Sequence, residues 1–304
     1  MVNNYFYRGN LSLKDKILSL DFYLVFLVLL LGLISFFAIY STERGEFGYY
    51  TQSHLYRFFI FFFIFILFSF FKIVFWYHLA YPFYFIILFL LIGVELFGIT
   101  SSGSTRWINL GVINLQPSEL MKVALIIFLA RYYNKIPFDS VNNVKFIIIP
   151  ALALFIPVSL VLKQPDLGTA TLIALSGIFV VWMAGFRIKY FIYTSLTLIC
   201  LAPVVIAFLK PYQKLRILSF LNPERDPLGA GYQLIQSKIA IGSGGLLGKG
   251  FLQGSQSYLD YLPEKHTDFI FTLFSEEFGF IGSLTILIIY VLIIYRIFAI
   301  GQLA

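Results

Sequence analysis

Tyr261-Leu-Pro-Glu-Lys-His-Thr-Asp-Phe-Ile-Phe-Thr-Leu-Phe-Ser-Glu-Glu-Phe-Gly-Phe280 sets Glu264, Lys265, His266 and Asp268 in a polar loop that runs straight into an apolar helix. In a chain as apolar as this one, ionisable side chains gathered at a helix mouth nominate a functional site. A local reading competes with it. Thr267 or Asp268 would suit an N-cap, where a carboxylate meets the positive end of the helix dipole.

Working outward, 60% of the 304 residues are hydrophobic, 12% are charged and the mean hydropathy is +0.87. A soluble domain carries roughly 25% charged residues. The composition therefore implies a polytopic, all-α membrane helix bundle, and short, scattered polar segments imply one integral membrane domain over residues 1–304. The net charge of +7 is spread over helix ends and forms no basic tract, which argues against a nucleic-acid partner. Cys200 stands alone, so no disulfide framework is expected. His54, His78 and His266 are far apart, and no dedicated metal site is expected. The first apolar run, Phe22–Tyr40, is too long for a signal-peptide core and has no cleavage site after it.

At about 20 apolar residues per crossing, about eight spans are expected. They cover 22–40, 58–75, 79–97, 117–132, 146–162, 168–185, 190–209 and 269–296. Pro150, Pro157 and Pro203 are compatible with spans because neighbouring helices can satisfy freed backbone groups. Lys and Arg concentrate in alternate loops, which places both termini in the cytoplasm and the long segment 210–268 outside. The apolar residues Leu234, Ile235, Ile239 and Ile241 argue for partial order in that segment, as a re-entrant or interfacial helix. Its glycine run, Gly242 to Gly250, is not a Walker motif, since Ser243 and Gly250 occupy the wrong positions. A flexible turn is the plain alternative.

Two earlier stretches carry polar residues. Pro117 suits a first helical turn, and Glu119 and Lys122, three apart, share a face and can pair. A buried pair would be a structural ion pair, and an exposed one a helix-end decoration. Lys163-Gln-Pro-Asp166 reads as a short outside loop with both charges available.

Arg106-Trp107-Ile108, Gln116-Pro-Ser-Glu119 with Lys122, and Gln164-Pro-Asp-Leu-Gly-Thr169 resemble motifs of the SEDS family, the RodA, FtsW and SpoVE group of bacterial cell-wall polymerases. Asn222-Pro-Glu-Arg-Asp-Pro227, Gln236 to Gly245, Gly248-Lys-Gly250, Leu262 to Phe271 and Glu276-Glu277 continue the resemblance in order. The stretch Gly254 to Glu264 is more similar to the elongation member than to the division member. The resemblance implies a glycosyltransferase that polymerises lipid II into undecaprenyl-linked glycan at the outer face of the cytoplasmic membrane, with Asp268 at the position of the essential carboxylate. It also implies a class B penicillin-binding protein as transpeptidase partner, alongside other membrane proteins of the elongation complex. The resemblance further implies a family bundle of about ten membrane-spanning helices. This chain stops at Ala304 without the last two, which implies a truncated form with an apolar groove left open.

The residues can support that chemistry. Attack of a sugar hydroxyl on an anomeric carbon needs a base near the hydroxyl and cations near the departing pyrophosphate. Asp268 is the candidate base. Arg106, Lys163, Arg216, Lys238, Lys249 and Lys265 are candidate substrate-binding cations, with Trp107 and His266 beside them. Mg or Mn could enter with the pyrophosphate. Glu276 and Glu277 are expected to be structural, because Glu276 lies about 12 Å along a helix from Asp268 and Glu277 faces elsewhere. A lipid II flippase and a non-catalytic scaffold are the rival classes.

Overall fold

The computed structural model describes residues 12–101, 104–109, 111, 114–208, 211–225, 231–255, 262 and 264–303. In chain order the helices are α1 (Leu13–Leu18), α2 (Phe22–Thr42), α3 (Tyr49–Ser69) and α4 (Ile73–Phe97). Three short strands follow: β1 (Ile99–Ser101), β2 (Ser104–Asn109) and β3 (Asn114–Leu115). Then come α5 (Pro117–Tyr133), α6 (Val144–Lys163), α7 (Leu167–Met183), α8 (Ile188–Phe208), α9 (Pro211–Leu221), α10 (Tyr232–Ser243) and α11 (Ile270–Leu303).

Seven of the eight expected spans coincide with a helix, and the expected span 58–75 instead runs past the end of α3 at Ser69 into the start of α4 at Ile73. Among the described residues, five are long and apolar enough to cross a membrane: α2, α3, α4, α6 and α11. The chain is a multi-pass membrane protein. Helices α5 and α7, at 17 residues each, are shorter. Two further features differ from the expectation. Helix α3 starts at Tyr49, ahead of its apolar run, because its polar first turns are capped from outside the helix. The stretch read as a plain loop before Pro117 is an antiparallel sheet of order β1-β2-β3, pairing Ile99 with Trp107 and Ile108 with Leu115.

Contacts divide the chain into two units, Met1–Phe70 with Ile206–Ala304, and Phe71–Val205. In the first, α2 packs on α3 and α11, and α10 packs on α11. Ala38, Phe274 and Ile286 form its small buried cluster. In the second, α4, α5, α6 and α7 pack around Tyr84, Leu91, Met121, Leu125, Leu129 and Ile173, with β2 against α4 and α5.

Three intrahelical prolines in the second unit show how the sequence tolerates them. A proline lacks the N–H that would bond the carbonyl four residues back. Pro82 frees His78 O, Pro150 frees Phe146 O and Pro157 frees Ala153 O. Each finds a side-chain donor on a neighbouring helix: Arg131 Nη1 at 3.2 Å, Tyr132 Oη at 3.3 Å and Tyr84 Oη at 2.9 Å. The bundle supplies the missing donors, as a water-free surrounding requires.

Candidate active site

Helix α11 is broken at Gly279, whose φ of 65° and ψ of −160° are non-helical. An unbroken helix would bond Phe280 N–H to Glu276 O and Ile281 N–H to Glu277 O. Here the glycine run is inserted instead. Lys249 and Gly250 donate their N–H groups to Glu276 O and Glu277 O, both at 3.0 Å. Phe280 and Ile281 donate to Gly245 O at 2.9 Å and Leu246 O at 3.2 Å. Four bonds replace two, and the run is an ordered element of the fold. Its glycines are required by contact: a Cβ at Gly248, where φ is +82°, would lie 2.0 Å from Glu277 O.

Side chains complete the junction. Glu276 is fully buried and pairs with Lys249 Nζ at 2.6 Å, while Ser255 Oγ donates to the same carboxylate oxygen at 2.8 Å. Glu277, 3% exposed, accepts the Ser41 hydroxyl and the N–H groups of Leu252 and Gly254. The two carboxylates are thus consumed in joining α2, the glycine loop and α11.

Asp268 lies in the turn 264–269 that leads into α11. It is exposed, and among the described residues its carboxylate has no hydrogen-bond or ion-pair partner. Helix α11 begins at Ile270, and the Leu273 N–H goes to Phe269 O, so Asp268 does not cap the helix. The Thr267 hydroxyl is engaged with Glu264 Oε2 at 3.5 Å and does not cap it either.

His266 is held by partners that the sequence did not single out. Its ring stacks on Tyr50 with centroids 4.0 Å apart and planes 9° apart, and Nδ1 lies 2.7 Å from Thr42 Oγ1. Glu43, following Thr42, accepts the N–H groups of Tyr50 at 2.9 Å and Thr51 at 2.8 Å. Burial disfavours the Glu43 carboxylate, but the neighbouring Thr51 hydroxyl, these N–H groups and the His266 charge outweigh it and hold the carboxyl below its usual range. A sequence signal existed only for Glu43, an acidic residue just ahead of a helix start. Nothing local pointed to Tyr50 or Thr42.

The other nominated residues of the first unit are distributed over its elements. Lys265 is buried, Lys238 is exposed on α10, and Lys249 is engaged with Glu276. Arg216 lies on α9, with only its backbone among the described residues.

In the second unit, Arg106 and Trp107 lie on β2. Arg106 Nε is 3.4 Å from Asp166 Oδ2 and its Nη2 is 3.5 Å from Pro165 O. Asp166, read from the sequence as available, is instead buried. Its oxygens accept the Thr169 N–H at 3.1 Å and hydroxyl at 2.8 Å, capping α7. Lys163 reaches Glu95 Oε1 at 3.5 Å in an exposed pair. Glu119 and Lys122 pair at 2.7 Å, but their side chains are 52% and 25% exposed. The pair is not enclosed, so its contribution is about 0–1 kcal/mol and not the roughly 3–5 kcal/mol of a buried pair losing one member.

Among the described residues no three His, Cys, Asp or Glu side chains converge as a metal cage.

Comparison with known proteins places this arrangement. A family described as cell cycle protein, FtsW/RodA/SpoVE, matches residues 18–303. Peptidoglycan glycosyltransferase MrdB of Escherichia coli (strain K12) is 45% identical over 215 residues, covering 70% of this chain and 57% of that protein. Stage V sporulation protein E of Bacillus subtilis (strain 168) is 41% identical over 216 residues, again 70% and 57%. The chain thus spans less than two thirds of the length of these relatives. A chain from a solved peptidoglycan synthase complex that coordinates polymerization and crosslinking superposes with a TM-score of 0.77 at 33% identity, covering 94% of this chain and 79% of its own. The crystal structure of the Thermus thermophilus rod shape determining protein RodA gives 0.66 at 26% identity, covering 94% and 76%. The helices, motif order and match across 18–303 carry one conclusion: this chain belongs to the FtsW/RodA/SpoVE family of cell cycle proteins.

Proposed function

We propose that the chain is a peptidoglycan glycosyltransferase, one membrane domain that polymerises lipid II at the outer face of a bacterial cytoplasmic membrane during elongation, with Asp268 as general base. The observation that carries the reading is the state of Asp268, Glu276 and Glu277. Glu276 and Glu277 are buried and engaged, whereas Asp268 is exposed and, among the described residues, without a hydrogen-bond or ion-pair partner. An accessible carboxylate is what a base for an incoming hydroxyl must offer. The loop charge bias supports placing 210–268 outside.

In the proposed reaction Asp268 takes the proton from the acceptor sugar's 4-hydroxyl as its oxygen bonds to the donor's anomeric carbon. The bond to the pyrophosphate oxygen breaks, and undecaprenyl pyrophosphate leaves with the electron pair. An α-linked donor is inverted to a β-1,4 link, and the carboxyl returns its proton to water. Arg216 and Lys238, of the same unit as Asp268, are the groups assigned to the substrate. Lys249 and His266 are assigned to supporting it, because their contacts are made within the protein. A divalent cation arriving with the pyrophosphate would neutralise the leaving group. The partner assigned is a class B penicillin-binding protein, in keeping with the complex to which the 33%-identical structural relative belongs.

Purified protein given labelled lipid II separates the readings. Glycan product supports polymerisation. Translocated but unpolymerised lipid supports a flippase, and neither outcome supports a scaffold.

A further inference from the structure

The turn that carries Asp268 has little backbone structure of its own. Two N–H groups, of Thr267 and Phe269, share Glu264 O at 3.3 Å, and no regular element begins until Ile270. Its position therefore depends on side-chain anchors. Asp268 is two residues from His266, within about 7 Å of extended chain, so whatever fixes the imidazole confines the carboxylate.

Two consecutive residues at the end of α2 do the fixing. The Thr42 hydroxyl donates to Ile39 O at 2.6 Å, which spends its one proton, so the 2.7 Å contact with His266 is donated by Nδ1–H. Glu43 caps the start of α3, whose N-cap Gly48 offers no side chain, by taking the N–H groups of Tyr50 and Thr51. A Cβ at Gly48 would sit 2.3 Å from Glu43 Oε1, so the cap requires glycine there. Thr42 thus holds His266, Glu43 holds the turn of helix that bears Tyr50, and the two rings close the circuit face to face. Tyr50 is 46% exposed, so its ring is not part of the core, and the stack is the one ring contact from α3 to this turn among the described residues.

We propose that Tyr50 and His266 are positioning residues that act through the turn 264–269, holding Asp268 where the acceptor hydroxyl must meet it. The inference rests on the reading of Asp268 as the base. Misplacing a reacting group by about 1 Å costs about a hundredfold in rate, so a clamp two residues from the base acts on turnover rather than on substrate affinity.

The test compares Tyr50→Leu, Tyr50→Phe, His266→Asn and Asp268→Asn in the complete chain in nanodiscs. It measures kcat and KM with lipid II, and amide exchange of Thr267 and Phe269. Tyr50→Leu is expected to lower kcat by about ten- to a hundredfold, leave KM within about twofold, and speed exchange of both amides, with normal yield. Tyr50→Phe, which keeps the ring, should match wild type in all three. His266→Asn keeps a donor for Thr42 but loses the stack, and should resemble Tyr50→Leu. Unchanged exchange in Tyr50→Leu overturns the clamp, and so does a rise in KM with kcat preserved, which would make the rings substrate contacts. If Asp268→Asn remains active, the base reading fails. The exchange measurement then still decides whether the clamp exists.

Discussion

Lys249 places its ammonium 2.6 Å from Oε1 of Glu276, a carboxylate with no solvent exposure. Removing one member of such a pair strands the other charge, at a cost of about 3–5 kcal/mol, lowered here because Lys249 is itself 29% exposed. Lys249→Met should therefore lower the melting temperature and folded yield, and Lys249→Met with Glu276→Gln should recover part of the loss. Equal stability of the single and double variants would show that the stranded carboxylate carries no penalty.

Tyr84 answers for the carbonyl that Pro157 frees. Tyr84→Phe keeps the buried ring and leaves Ala153 O without its donor, a loss of about 1–3 kcal/mol. Thermal unfolding should show it, and Tyr84→Phe with Pro157→Ala should restore stability by returning the backbone bond. A double variant no more stable than Tyr84→Phe would contradict this account of the proline.

The stitched break in α11 makes two glycines unequal. Gly248→Ala drives a Cβ into Glu277 O, whereas Gly245, with φ +55°, has nothing within 4 Å of its Cβ position. Gly245→Ala should cost only the left-handed backbone penalty of about 1–2 kcal/mol. Gly248→Ala should abolish folded protein in size-exclusion profiles. Similar profiles for the two would mean the loop is not clamped against the helix.

The Glu43 cap has a pH signature. Its folded carboxyl titrates below the usual range, so the stability it contributes is present above the unfolded pKa of about 4.3 and is lost as pH falls through the lower folded value. Protection of the Tyr50 and Thr51 amides, corrected for intrinsic exchange, should be constant near neutrality and fall in acid. In Glu43→Gln the step should disappear. Flat protection in the wild type down to pH about 3 would remove Glu43 from this role.

Apolar runs made the helices legible, because a bilayer demands length and hydropathy and little else. Prolines inside them were correctly no obstacle, although the donors Arg131, Tyr132 and Tyr84 come from distant sequence and could not be named. The sheet around Arg106 was missed since its strands are only two to six residues long. Asp268 stood out as an acidic residue at a helix mouth. The state of its neighbours did not, because the Ser41 contact with Glu277 and the Tyr50 stack on His266 join positions more than two hundred residues apart. The availability of Asp166 was misread because its partner Arg106 lies on another element and its oxygens cap α7 through Thr169.

Asp268→Asn tests the central claim most directly, since it keeps the side chain's shape and removes the proposed base. With lipid II as substrate and the partner transpeptidase present, the variant should insert, bind the partner and melt like wild type, while glycan polymerisation falls at least about a hundredfold. Near-normal glycan synthesis by the well-folded variant would contradict the assignment.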